Sequence, residues 1–339
     1  VEENWHMEMV DERDKLITTG AVEVQDSRDY LAGDFLPVEV LTSTVPDEYE
    51  LERLPKYKNQ NGFPSCIAQT LATWIDYANR KEGVDSFASG RYIFAYCKAL
   101  DGFPGLEGTF TRVALGVGID TGTVENESYP ERHDIPYAKY IELPPSDLKQ
   151  WASKYKIKSY VTFEDDNQIK QYIVNEQLPV FIGINSNSTG WGYSVVENNN
   201  FILQEPTGSR TGHQVLCTGW NADGWIFENW WGKDWGDDGR AICPYNYSGL
   251  WANKFIPYDL PNYHKEINNM WRQIDVIKAE WPWLEAIGHP KINEADLNIH
   301  MKAKAPTEFN IGMIDVIKEF VNFVGPNKVE EFKQFKGWK

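Results

Sequence analysis

The sequence predicts an α+β fold, on two observations. Apolar residues recur at helical spacing in the first half of the chain, and short apolar runs replace that pattern after Ile141. Helices first and strands later indicate segregated layers rather than alternating βαβ units. In the helical half, Ile67, Leu71, Trp74, Ile75 and Ala78 trace one face over Cys66 to Arg80. Ser65 precedes that face as a candidate N-cap, which puts Cys66 in the first turn. Further helices are expected at about 89–100, 111–121 and 167–176. Val161–Phe163, Val180–Ile184, Phe201–Leu203, Val215–Thr218, Trp225–Glu228 and Ala241–Cys243 read as strands separated by Gly, Asn and Pro.

Three segments follow from the same pass. Residues 1–58 are a polar, proline-interrupted lead-in expected to wrap partly around the domain at 59–259. Residues 260–339 read as a helical extension. Ile267, Met270, Trp271, Ile274 and Ile277 share one face before Pro282, and a second stripe from Ile311 to Val324 ends at Gly325-Pro326. A protein partner docking on 260–339 is the expectation for those stripes if they are not core.

Charge narrows the partners. The net charge is 33 − 50 = −17, which opposes binding to nucleic acid or anionic membranes. No apolar run approaches the ~20 residues that span a bilayer. The acidic start, Val-Glu-Glu-Asn-Trp-His, has no signal-peptide pattern. Location stays open, with the cytoplasm or a larger assembly as the expectation. The four cysteines, Cys66, Cys97, Cys217 and Cys243, form no CxxC pair, so neither a zinc cluster nor a disulfide framework is indicated.

Three clusters carry chemistry. In Lys58-Asn59-Gln60-Asn61-Gly62-Phe63-Pro64-Ser65-Cys66, a thiol at a helix start lies in the positive end of the helix dipole, which favours the nucleophilic thiolate. Gln60 can turn an amide N–H toward the same point and, with the Cys66 backbone N–H, form an oxyanion hole. In Gly212-His213-Gln214-Val215, His213 opens an apolar strand 213 − 66 = 147 residues after Cys66. In Glu228-Asn229-Trp230-Trp231-Gly232, an amide oxygen can fix an imidazole and a Trp can shield that bond from water. Each cluster alone is also compatible with an ordinary core or turn.

Together the clusters resemble the papain family of cysteine peptidases over about residues 20–259. The resemblance implies a two-lobed fold, with a helical lobe, an antiparallel barrel-like lobe and a cleft between them. It implies Cys66 as nucleophile, His213 as acid–base group, Asn229 as orienter and Gln60 as oxyanion donor. It also implies Gly108 and Phe110 on a substrate-pairing strand, Gly183 and Gln214 along the specificity pocket, and Trp231 as the shielding ring. An apolar or aromatic residue is expected at the P2 position of the substrate. Ser128-Tyr129-Pro130 and Asp26-Ser27-Arg28-Asp29-Tyr30 are similar to further family segments. The chain departs from the family at Phe63, which stands where an upstream cysteine is usual, so that disulfide cannot form and Cys97 is expected to be free.

The resulting expectation is a cysteine-type endopeptidase acting through a Cys66 acyl-enzyme on proteins or peptides, without metal or organic cofactor. Two other readings stay open on sequence. One is a papain-fold protein with a docking role in an assembly such as a virus particle. The other is a thiol amidase acting on cell-wall peptides. Residues before the Asp26–Tyr30 segment lying across the cleft is a further expectation.

Overall fold

The computed structural model describes residues 11–22, 29–103 and 107–258. The expected helical extension at 260–339, and residues 26–28 of the Asp26–Tyr30 segment, lie outside the described residues.

The helical layer is built around Cys66–Lys81. Every residue from Cys66 to Tyr77 is buried, so this helix is enclosed on all sides rather than half exposed. Ser65 occupies the N-cap position, but its hydroxyl makes no capping bond. The hydroxyl is taken instead by Tyr140 Oη at 3.0 Å and Gln69 Nε2 at 3.3 Å. The second helix, Gly90–Leu100, starts as expected at Ser89, whose Oγ accepts the Tyr92 N–H. A third, Thr111–Asp120, leads back toward the sheet. Buried ion pairs tie this layer together: Lys58 to Asp76 at 2.9 Å and Lys98 to Asp101 at 2.7 Å. Lys98 also donates to the carbonyl of Gly108, so one ammonium fixes the loop that carries that glycine.

The second layer is an antiparallel sheet. Its strands are β4 (Ser159–Phe163), β5 (Val180–Ser186), β6 (Thr211–Trp220), β7 (Gly224–Glu228), β8 (Arg240–Pro244) and β9 (Leu250–Tyr258), with the short β2 (Tyr49–Glu50) added to β6. The spatial order is β4-β9-β5-β6-β7-β8. Barrel-like closure is absent among the described residues, because β4 and β8 remain the two ends of the path. Both edges are covered by loops, Leu31 bridging Thr162 on β4 and Ile202 bridging Ile242 on β8. Phe201–Leu203, expected as a strand, contributes only that bridge. Asn200 and Phe201 adopt φ of 52° and 63°, which is incompatible with extended pairing. The expected strands elsewhere are present, and β9 is an additional one. A helix at Asp166–Glu176, capped by Asp165 through the Gln168 N–H, packs near β4 and β6.

The two layers meet where the Cys66 helix crosses β6. Thr70, one turn beyond Cys66, donates its hydroxyl to the Gln214 carbonyl at 3.1 Å. Trp230 Nε1 donates to the same carbonyl at 2.9 Å. Register on β5 sets Ile184 opposite His213 and Gly183 opposite Gln214. The sequence pattern thus places the start of a buried helix against the start of β6.

Candidate active site

Cys66 and His213 are each 0% exposed and belong to these two elements. Backbone N–H groups of Gln214, Ile67, Cys66 and Gly20 lie near the thiol and favour its thiolate. Burial nonetheless dominates and pushes the Cys66 thiol up to about 12. His213 Nε2 lies 2.8 Å from Asn229 Oδ1. The same Oδ1 accepts the Trp230 N–H at 2.8 Å, which identifies it as the amide oxygen and makes Nε2–H the donor. The neutral ring therefore keeps its lone pair on Nδ1, which is buried and has no hydrogen-bond partner among the described residues. Burial lowers His213 to about 4, against the opposing effect of the Asn229 bond.

An aromatic box encloses the imidazole. Trp231 stacks on it with ring centroids 5.0 Å apart and planes 22° from parallel. Trp191 meets it edge-on at 5.8 Å. Trp191 and Trp235 stack on each other, and Trp235 Nε1 donates to the Trp191 carbonyl. Trp231 was visible as a motif residue. Trp191 was not, because it stands alone on a short turn, Ser188–Trp191, with no periodic neighbours.

Gln60 is 0% exposed, and its N–H donates to the Trp230 carbonyl, so the amide and the Asn229 loop are fixed to each other. Its side-chain Nε2 does not face an open donor site. It donates to the carbonyl of Thr18 at 3.0 Å and lies 2.7 Å from both Thr18 Oγ1 and the Phe63 carbonyl.

Thr18 belongs to an extended segment, residues 17–22, that crosses the site. Trp231 Nε1 donates to the Thr18 carbonyl, and the Gly20 N–H donates to the Gly212 carbonyl next to His213. The Thr109 N–H donates to the Gly20 carbonyl, and β1 (Ala21–Val22) pairs in parallel with β3 (Thr109–Phe110). A Cβ on Gly20 would stand 2.4 Å from the Pro64 carbonyl oxygen, and one on Gly108 would stand 2.0 Å from the Gly20 oxygen. Gly108 has φ of +105°, so both the close approach and the backbone conformation require glycine there. The segment is moored further back on the helix Tyr193–Asn198. Asp14 Oδ1 accepts the Tyr193 N–H at 2.8 Å, Asp11 accepts from Ser194 Oγ, and Arg13 pairs with Glu197 at 2.7 Å.

The structure therefore brings Cys66, His213, Asn229, Gln60, Trp231 and Gly108 into one site, all around residues 17–22. Phe110 pairs with Val22 of that segment. Gly183 and Gln214 face each other across β5 and β6 and are both buried, and Gln214 Oε1 accepts from Thr111 Oγ1 at 2.8 Å. All four cysteines are free. Phe63 stacks on Tyr140 with centroids 3.8 Å apart, filling the place beside the helix start with a ring.

A buried thiol at a helix start, an imidazole on the facing strand and an amide that orients it define a Cys–His–Asn site on an α+β scaffold. The chain belongs to the papain family of cysteine proteases, whose sequence model matches residues 47–248. A viral cathepsin of Heliothis zea nuclear polyhedrosis virus is 26% identical over 222 residues, covering 62% of this chain and 56% of the relative. The chain thus spans little more than half the length of that relative. Among solved structures, xylellain, a cysteine protease from Xylella fastidiosa, superposes with a TM-score of 0.62 at 22% identity, over 74% of this chain and 100% of that one. The proCathepsin B S9 of Trypanosoma congolense superposes at 0.57 and 17% identity, over 73% and 88%. At these identities the solved structures establish the shared fold.

Proposed function

We propose that the chain is a cysteine endopeptidase that cuts proteins or peptides through a Cys66 acyl-enzyme and is held latent by residues 17–22. The observation that carries the reading is the joint placement of Cys66 on the enclosed helix with His213 on the facing strand and Asn229 on the loop that follows β7. In the working form, the Cys66 thiolate attacks the scissile carbonyl while His213, charged at Nδ1, holds it as an ion pair. Asn229 keeps the imidazole turned toward the sulfur, and the Trp191, Trp231 and Trp235 rings exclude water from that bond. The Gln60 amide and the Cys66 N–H stabilise the oxyanion, a contribution of about 2.7–4 kcal/mol per donor in comparable sites. His213 then gives its proton to the leaving amine and takes one from the water that cleaves the thioester.

Latency has two physical parts. The Thr18 carbonyl occupies the Gln60 amide, so the oxyanion donor is engaged by the chain itself. The segment also keeps thiol and imidazole away from water, and burial favours the uncharged form of both. Displacement of 17–22 frees the donor and rehydrates the pair in one event. A substrate with an apolar P2 side chain beside Gly183 remains the proposed preference.

The test is hydrolysis of casein by the full chain and by Cys66→Ala. The variant is expected to lose at least about a thousandfold in turnover. Equal hydrolysis by the two proteins rejects Cys66 as the nucleophile.

A further inference from the structure

A second ionisable group sits behind the nucleophile. Glu131 follows the Tyr129-Pro130 pair, and its carboxyl reaches the Tyr140 hydroxyl in a short hydrogen bond. Tyr140 Oη is 3.0 Å from Ser65 Oγ, and Ser65 is the residue immediately before Cys66. Gln69 Nε2 also donates to Ser65 Oγ, at 3.3 Å. Tyr140 carries one hydroxyl proton and has two neighbours. With Glu131 ionised, that proton points at the carboxylate, and the Ser65 hydroxyl must then donate to the Tyr140 oxygen. The chain of bonds thus has a direction set by the charge on Glu131. Glu131 Oε2 is buried and has no hydrogen-bond partner among the described residues.

We propose that Glu131 is a positioning residue that, through Tyr140 and Ser65, tunes how readily Cys66 forms its thiolate. A negative charge at the amino end of the Cys66 helix opposes the positive end of the helix dipole and so opposes thiolate formation. Removal of that charge by protonation restores it. The charged and titratable groups facing Glu131 are Tyr140, Tyr129 from its own loop, Arg91 from the second helix, and Lys58, which is paired with Asp76. Burial outweighs the two cations and raises Glu131 to about 7. The switch therefore lies inside the ordinary working range of pH rather than at its acid edge.

The inference rests on Cys66 being the nucleophile, and its test separates the two. The rate of iodoacetamide labelling of Cys66 is followed from pH 5 to pH 9 by mass spectrometry, on the full chain, for wild type, Glu131→Gln and Glu131→Asp. The ratio of Glu131→Gln to wild type is expected to rise from near one at pH 5 to about threefold at pH 9, as a charge near a helix terminus shifts a thiol by about half a unit. Glu131→Asp keeps the charge, and its ratio is expected to stay near one. A ratio for Glu131→Gln that is flat across pH, or an equal rise in Glu131→Asp, overturns the inference. Relative labelling rates carry this result whether or not casein is cut, so absent hydrolysis beside a rising ratio would remove the peptidase reading and leave the tuning in place.

Discussion

The two sides of the proposed catalytic pair are held in different ways. Cys66 is held by polar chemistry: the Lys58–Asp76 pair, the Thr70 bond to Gln214, and the Ser65–Tyr140–Glu131 chain. His213 is held by one hydrogen bond to the Asn229 amide and by the rings of Trp191 and Trp231, with Trp235 packed against those two rings. A thiol that must become an anion needs a surrounding field that can be adjusted, and dipoles and charges supply one. An imidazole that must stay turned toward the sulfur needs shape, and stacked rings supply that with few polar atoms to desolvate. The contrast implies that the sulfur side should respond to charge changes and the imidazole side to changes in volume.

The largest expected effect is common to both sides. His213→Ala should lower kcat/KM on a peptide substrate by roughly ten-thousandfold, as removal of a general base does in comparable triads. Next comes volume. Trp191→Ala empties a fully buried ring site and should cost about 3–5 kcal/mol in urea unfolding, with Cys66 labelling in the folded protein little changed. If labelling fell as steeply as stability, the division between the two sides would fail. On the sulfur side, Asp76→Asn leaves the Lys58 ammonium buried without its counter-charge and should cost about 3 kcal/mol in the same experiment. An isosteric substitution with no measurable cost would mean that the field there matters little. The smallest expected effect is a gain. Gly20→Ala forces a methyl against the Pro64 carbonyl and should loosen residues 17–22, raising casein hydrolysis by the full chain about tenfold, equivalent to roughly 1.4 kcal/mol of weakened closure. Unchanged or lower hydrolysis would show that the segment does not limit activity.

The candidate catalytic residues were legible because each is marked by side-chain type within a local motif. Cys66 follows a Pro-Ser helix start, His213 opens an apolar strand, and Asn229 precedes two tryptophans. The fold class was legible for a similar reason, since helical and extended apolar spacing differ within each short window. The crossing segment was less so. Its contacts use the Thr18 carbonyl and the Gly20 N–H, which every residue but proline possesses. Glu131 gave no signal because its hydrogen bond goes to Tyr140, nine residues on, and Ser65, the link to Cys66, lies far earlier in the chain. β9 was missed as a strand because Asn253, Lys254 and Pro257 break its apolar run, although its main chain pairs with β4 over Lys254–Tyr258 and with β5 on its other side.

The ring of Phe63 lying flat on Tyr140 has a practical corollary for handling the protein. A nucleophilic sulfur is kept competent by reductants such as dithiothreitol, and in scaffolds braced by sulfur–sulfur cross-links the same reagent attacks the brace. Here the region behind the nucleophile is braced by π-stacking and every cysteine is already a thiol, so the melting temperature should be indifferent to the reducing agent that preserves the sulfur.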